Sequence, residues 1–229
     1  DVDEAGGREI ADRLGERCEF RACDITDDAA VDAIVAAVVD EHGGIDVLVN
    51  LAATYLDDGA DTSRADWLTA LNVNLVSLVR LAEAVRPHLA ACEHGAIVNF
   101  TSISADVAQT GRWVYPASKA AIKQVTRSMA MDYAAEGIRV NSVSPGWTWS
   151  KIMHDLSQDD RARTDEVAAP FHFTGRVGDP IEVGRVVAFL VSDAASVVTG
   201  ANWCADGGYG AMGPEQAVPA IPKLIPEEN

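Results

Sequence analysis

The stretch A-I-V-N-F-T-S-I-S-A-D-V-A-Q-T-G-R-W-V-Y-P-A-S-K (96–119) decides how this chain reads. Its opening, A-I-V-N-F-T (96–101), is an apolar run with β-branched residues, which predicts a buried strand ending at Ser102. A helix is predicted from about Tyr115 to Glu136, with Pro116 tolerable only in its first turn and Gly137 as its stop. With Tyr115 opening that helix, Lys119 lies one turn further along on the same face. An ammonium held beside a phenol favours the phenolate and lowers a pKa that starts near ~10. Such a pair can move a proton on and off an alcohol oxygen at neutral pH. A tyrosine and a lysine four residues apart more often just decorate a helix, so the rest of the chain must supply the weight.

Upstream, a short helical pattern ends at Gly15, and R-C-E-F-R-A-C (17–23) reads as a strand closed by Asp24. Thr26 is the expected cap of a helix in which Val31, Ile34, Val35 and Val38 recur at helical spacing, stopped by Gly43-Gly44. D-V-L-V-N (46–50) predicts another buried strand, and Ser63 with Asp66 resembles a capping box before a long helix through Leu81. Downstream, I-R-V-N-S-V (138–143) is a strand stopped by Pro145-Gly146. Residues 147–178 break the rhythm as an irregular insertion of the kind used for lids. A helix follows from Asp179-Pro180 through Ser192, then N-W-C-A-D (202–206) as a last strand. Strands alternating with helices imply a single-domain α/β fold over residues 1–229: a Rossmann-like, doubly wound parallel sheet in three α/β/α layers. Ligands bind such sheets beyond the carboxyl ends of the strands, where Asp24, Asn50, Ser102 and Pro145-Gly146 fall.

Hydrophobic residues make up 48% and charged residues 23% of 229, which is ordinary for a globular enzyme. A net charge of -17 argues against nucleic acid as a partner. No apolar run approaches a membrane span and no signal peptide opens the chain, so no membrane partner is expected. Cys18, Cys23, Cys92 and Cys204 form no C-x-x-C pair, which predicts buried free thiols in a reducing cytoplasm. The five histidines lack ligand spacing, and no metal site is expected.

In order along the chain stand C-D-I (23–25), L-V-N-L-A-A (48–53), N-V-N-L (72–75), V-N-F-T-S (98–102), Y-P-A-S-K (115–119), R-V-N-S-V-S-P-G (139–146) and A-D-G-G (205–208). Together they resemble the classical short-chain dehydrogenase/reductase family over essentially the whole chain. The resemblance implies Tyr115 as general acid/base and Ser102 as the hydroxyl that holds the substrate oxygen. It implies Lys119 as the residue tuning the tyrosine and binding the nicotinamide ribose, and Asn74 as a backbone anchor for a water relay. Asn72, two residues earlier, reads as a decoy. For the cofactor, Asp24 and Ile25 match the adenine contacts, and Asn50, Ala52 and Ala53 match a turn under the adenosine half. Pro145, Gly146, Thr148 and Ser150 would flank the nicotinamide.

The sequence departs from the family's pattern in three places. Leu51 replaces a usual asparagine, and Ser150 a usual threonine. The first strand with its glycine-rich phosphate-binding turn is absent, so a preceding N-terminal segment is expected in the natural protein. Asp1 falls where an acidic residue would hold the adenosine ribose hydroxyls and repel a 2′-phosphate, so NAD is expected over NADP.

The resemblance therefore implies an NAD-dependent oxidoreductase acting on a small-molecule substrate, a secondary alcohol or ketone, alicyclic, aromatic or otherwise bulky. Two alternatives stand beside it: an NADPH-dependent 3-oxoacyl-[acyl-carrier-protein] reductase, and a non-catalytic remnant of the fold if the chain is truly truncated. The substrate pocket is expected between 104–113 and 147–173, with Trp113 and Trp147 as substrate contacts and an aromatic character from Trp149, His154, Phe171, His172 and Phe173. A homo-oligomer, tetramer or dimer, is expected through the two long helices and the last strand. The proline-punctuated tail 211–226 could reach a neighbouring subunit.

Overall fold

The computed structural model describes residues 1–214 and 220–224. Residues 215–219 and 225–226 of the tail expected to reach a neighbouring subunit therefore lie outside the described residues. Helix α1 (Glu4–Leu14) is capped by Asp3 and ends at Gly15. Helix α2 (Asp28–His42) is capped by Asp27, one residue after the expected Thr26. The Asp27 carboxylate accepts from Ala29 and Ala30, whereas the Thr26 hydroxyl is turned to Asp24. Gly43 stops α2 in the left-handed region.

Strand β1 (Val47–Asn50) leads into α3 (Arg64–Leu71), capped by Ser63 as expected. One turn of π-helix, Asn72–Val76, joins α3 to α4 (Ser77–Ala91). Strand β2 (Ala96–Phe100) is followed by α5 (Val114–Tyr133), then β3 (Arg139–Pro145). The insertion 147–178, expected to be irregular, contains α6 (Lys151–Ser157) and α7 (Arg161–Ala168). Neither carries a wide apolar stripe. α7 is held instead by the Asp160 cap and the Arg161–Asp165 pair one turn apart. Helix α8 (Pro180–Val191) opens with a capping box between Asp179 and Glu182, and β4 (Asn202–Ala205) closes the sheet.

The four strands pair in the order β1-β2-β3-β4, all parallel. Alternation along each strand feeds two cores. Ile97 and Val140 meet Leu78, Ala82, Leu89, Ile122 and Met129 of α4 and α5, while Val98, Phe100 and Val143 meet Val183 and Leu190 of α8. Helices thus cover both faces, which gives the three expected layers. The expected strand 17–23 is not one. Among the described residues its only long-range backbone bonds are to Asp1, through Cys23 N–H to the Asp1 carbonyl at 3.2 Å and the Asp1 amine to the Arg21 carbonyl at 3.4 Å. A strand needs a ladder, and one residue does not make one.

Two expectations about composition also change. Residues Arg64–Ala91 form one helix of 28 residues, long and apolar enough by length and composition to cross a membrane, yet its inner face packs into the core against β1, β2 and α2. Of the four cysteines only Cys23 is buried, while Cys204 is exposed.

Candidate active site

The site is built where β2 and β3 end and α5 begins. Extended backbone after Phe100 delivers Ser102, whose Oγ accepts from the Ser104 N–H at 3.2 Å and neighbours the Ser104 Oγ at 3.3 Å. Ser104 in turn donates to Gln109 Oε1 at 2.6 Å. Tyr115 and Lys119 sit one turn apart at the start of α5, and all three expected groups are buried, at 8%, 7% and 3% exposure. The phenol lies beside Ser102 and Tyr55, and the Tyr55 ring stacks on it at 4.8 Å between centroids. Lys119 Nζ donates to the Phe100 carbonyl at 2.8 Å and lies 5.6 Å from the Tyr115 ring centroid.

The electrostatics depart from expectation. Burial pushes the Tyr115 phenol well above its ordinary value and the neighbouring Tyr55 adds to this, against smaller lowering from the Ser102 hydroxyl and the Arg112 charge. Burial likewise lowers Lys119 from 10.5 to about 8. Lys119 spends its proton on a backbone carbonyl rather than on the phenol. In the chain alone the low-dielectric pocket therefore favours Tyr115 as a neutral donor.

Asn74 is buried at the centre of the π-helical turn. Its side chain accepts from the Thr54 N–H at 2.7 Å and donates to the Thr54 carbonyl at 3.0 Å and to Ser118 Oγ at 3.3 Å. Single π turns within α-helices often mark functional sites. Asn72 is exposed, in keeping with its reading as a decoy.

Ser102, Tyr115, Lys119, Ala53, Pro145, Gly146, Trp147, Thr148 and Ser150 line one cavity of about 1060 Å³. Ile25, Asn50, Ala52, Asn74 and Lys119 line a smaller one of about 150 Å³. Gly146 is needed there for packing, because an added Cβ would meet the Asp206 backbone at 2.9 Å. Asp1 and Asp24 line neither cavity. Asp24 is exposed and engaged with the Thr26 N–H and hydroxyl, and Asp1 accepts from the Asp3 N–H.

Trp113 does not reach the cavity. It precedes the first turn of α5 with 55% of its surface in solvent, and only its backbone is held. The expected aromatic wall is also thinner, since Trp149 packs on His154 and under Arg161, His172 is buried behind Trp147, and Phe173 is exposed. Trp147 stays on the wall with Tyr55, Phe100 and Tyr115, while α6 and α7 add an aliphatic strip of Ile152, Met153, Leu156 and Val167. Of metal-like groupings among the described residues, the exposed trio Glu19, Glu41 and His42 brings ligand atoms within 4.8 Å, but both glutamates already pair with Arg21.

Two residues escaped the sequence reading. Asp57 accepts from the N–H groups of Trp113 at 2.8 Å, Tyr115 at 2.9 Å and Gly59 at 3.3 Å, clamping the 51–58 loop to the start of α5. Burial works against its charge, but these backbone donors win and hold the carboxyl below its usual range. Tyr55 sits on the same loop. Neither lies in a motif, and nothing local in the sequence points to partners across the fold.

A family model described as enoyl-(acyl carrier protein) reductase matches residues 1–210. A 3-oxoacyl-[acyl-carrier-protein] reductase of Vibrio cholerae is 33% identical over 90% of this chain and 83% of its own length. The chain belongs to the short-chain dehydrogenase/reductase family. A cis-4-hydroxycyclohexanecarboxylate dehydrogenase of Sinomonas cyclohexanicum is 37% identical over 86% of this chain and 79% of its own length. The ligand-free aldohexose dehydrogenase of Thermoplasma acidophilum superposes with a TM-score of 0.82 at 28% identity, covering 90% of this chain and 83% of that one. Membership makes the chain an oxidoreductase of hydroxyl and keto groups and implies a nicotinamide cofactor.

The residues present fit such a cofactor. Asn50 Oδ1 is buried with no hydrogen-bond partner, at the strand end expected beneath the adenosine half, while its Nδ2 is fixed on Asn99 Oδ1 at 2.9 Å. An orphaned acceptor of this kind calls for a donor from a ligand.

Proposed function

We propose that this short-chain dehydrogenase/reductase interconverts a small secondary alcohol and its ketone, with Tyr115 as the acid/base and NAD(H) as its cofactor. The convergence of Ser102, Tyr115 and Lys119 on one wall of the large cavity carries this reading. The nicotinamide, when bound, supplies or accepts the hydride. In the reducing direction Tyr115, kept neutral by its burial, gives its proton to the carbonyl oxygen as negative charge grows there. The Ser102 hydroxyl donates to the same oxygen, so two preorganised donors in a low-dielectric wall stabilise the developing alkoxide. Lys119 holds a positive charge behind the phenol and so stabilises the phenolate left by that transfer. Asn74 acts through its backbone in the relay that returns a proton from solvent, because its side chain is already spent on Thr54 and Ser118. In alcohol oxidation the same atoms work in reverse.

The preference for NAD rests on Asp1 and on Arg21. That cation, whose backbone meets Asp1, is already paired with Glu19 and Glu41, so it is not free to hold a 2′-phosphate. The Vibrio cholerae relative keeps a carrier-protein reductase with NADPH as the second reading. Residues 147–178, with α6 and α7, form the lid over the substrate. Four free thiols suit the cytoplasm.

The deciding experiment is Tyr115→Phe, assayed in both directions on a panel of secondary alcohols and ketones with NAD(H) and NADP(H). Loss of the phenolic oxygen is expected to lower kcat by roughly 10²–10⁴-fold. A variant as active as the parent would refute the proposed role.

A further inference from the structure

Several cations near the cavity but outside it have acidic partners: Lys123 with Asp106, Arg161 with Asp165 and Asp179, Arg176 with Glu182. That is what a chain with 35 acidic and 18 basic residues should do. The cavity wall breaks the pattern. No aspartate or glutamate lines it, while Arg112, Arg163 and Lys119 do. Lys119 is committed to the Phe100 carbonyl. Arg112 and Arg163 pair with no carboxylate among the described residues.

Arg112 is also close to the reacting group, its guanidinium carbon 5.3 Å from the Tyr115 ring centroid. It shares its wall with Ser102, Ser104 and Gln109, not with Ile25, Asn50 and Ala52 of the smaller cavity. An anion at Arg112 would therefore belong to the substrate rather than to the adenosine half of the cofactor. A guanidinium fork matches the two oxygens of a planar carboxylate. A concave wall bearing one sign of charge concentrates ligands of the other. Facing these cations, α6 and α7 contribute an aliphatic strip of Ile152, Met153, Leu156 and Val167, with Ser157, Gln158 and Thr164 beside it.

We propose that the substrate is an amphiphilic hydroxy or keto acid, whose carboxylate is held by Arg112, with Arg163 adding charge from the lid, while its apolar body lies against α6 and α7. This rests on the alcohol–ketone reading above and narrows its substrate class.

The test measures binding, not turnover. Isothermal titration of the full chain with cis-4-hydroxycyclohexanecarboxylate and with its methyl ester compares one body with and without the charge. The acid is expected to bind at least about tenfold tighter, with the gap narrowing as salt is added. Arg112→Ala should bring the two affinities within about twofold of each other, and Arg112→Lys should keep part of the gap, since charge survives while the fork is lost. Arg112 is exposed, so these variants should fold, and circular dichroism checks that they do. An ester that binds as tightly as the acid overturns the proposal. So does an acid–ester gap that persists in the Arg112→Ala/Arg163→Ala double variant. Failure of the reaction reading looks different, because full turnover by Tyr115→Phe would leave the acid–ester affinity gap as it is.

Discussion

At the scale of single residues, burial sets the chemistry. Lys119 has no carboxylate partner, and desolvation brings it from 10.5 to about 8. A lysine whose folded value lies below its unfolded one binds fewer protons folded than unfolded between those values. Its contribution to stability therefore grows as pH rises from about 8 towards 10.5. Catalysis runs the other way. Ketone reduction needs the ammonium behind Tyr115, so kcat/KM for reduction should be level below pH 8 and fall above it, and Lys119→Arg should move that falling limb upward. A profile unchanged by the arginine would assign the limb to another group. Asp57 is a positioning residue, since it touches only the backbone that carries Tyr115. Asp57→Ala should cost about 1–2 kcal/mol, the usual loss for a helix-start acceptor, and should lower kcat more than it raises KM. Asp57→Asn, which keeps one acceptor oxygen, should rescue part of both. The carboxyl is held below its usual range, so its contribution is present at neutral pH and is lost as pH falls through its folded value. Denaturant unfolding at pH 7 and pH 3 should therefore show the gap between parent and Asp57→Ala closing in acid.

At the scale of elements, what could be read from sequence was what is chemically local. Ser63 capping α3, Gly43 and Gly137 in left-handed stops, and the Asp179-Pro180 start of α8 all depend on partners within a few residues. The strand expected at 17–23 failed because a ladder depends on a distant partner, and among the described residues only Asp1 bonds its backbone at long range. Asp57 was illegible for the same reason, its donors lying 56 and 58 residues away. Helices α6 and α7 were missed because they are short and held by charge pairs one turn apart, Lys151–Asp155 and Arg161–Asp165, with a side-chain cap only at α7. The π turn between α3 and α4 was likewise invisible, although Asn74 within it was singled out by motif. That turn makes the 64–91 helix a functional element, because it points Asn74 at both the Thr54 backbone and Ser118. Asn74→Leu would leave the half-buried Thr54 N–H and carbonyl unpaired, at up to about 1–3 kcal/mol for each orphaned group. Thermal unfolding should show that loss, and hydrogen exchange should show it confined first to residues 51–58 and the start of α5. Uniform loosening of the sheet would contradict this placement.

At the scale of the whole molecule, the exposed apolar surface has a direction. The helix 64–91 buries one side on β1 and β2 and leaves Leu68, Val76 and Val79 at 62%, 54% and 39% exposure, while Met131 on α5 stands 82% exposed. Large side chains left in water along two long helices are costly, and a symmetric partner presenting the same helices would cover them. The homo-oligomer proposed for this chain should therefore form through α3, α4 and α5. A charge at its centre tests this without touching the cavity, because none of these four residues lines it. Light scattering behind size exclusion should give a dimer or tetramer for the parent and a monomer for Val79→Glu combined with Leu68→Glu, with the circular dichroism spectrum preserved. A parent that runs as a monomer of 24.3 kDa, or a double variant that still assembles, would send the contact to another face. If assembly is lost and turnover falls with it, the interface also steadies the Asn74 turn, which lies between Leu68 and Val79 on the same continuous helix.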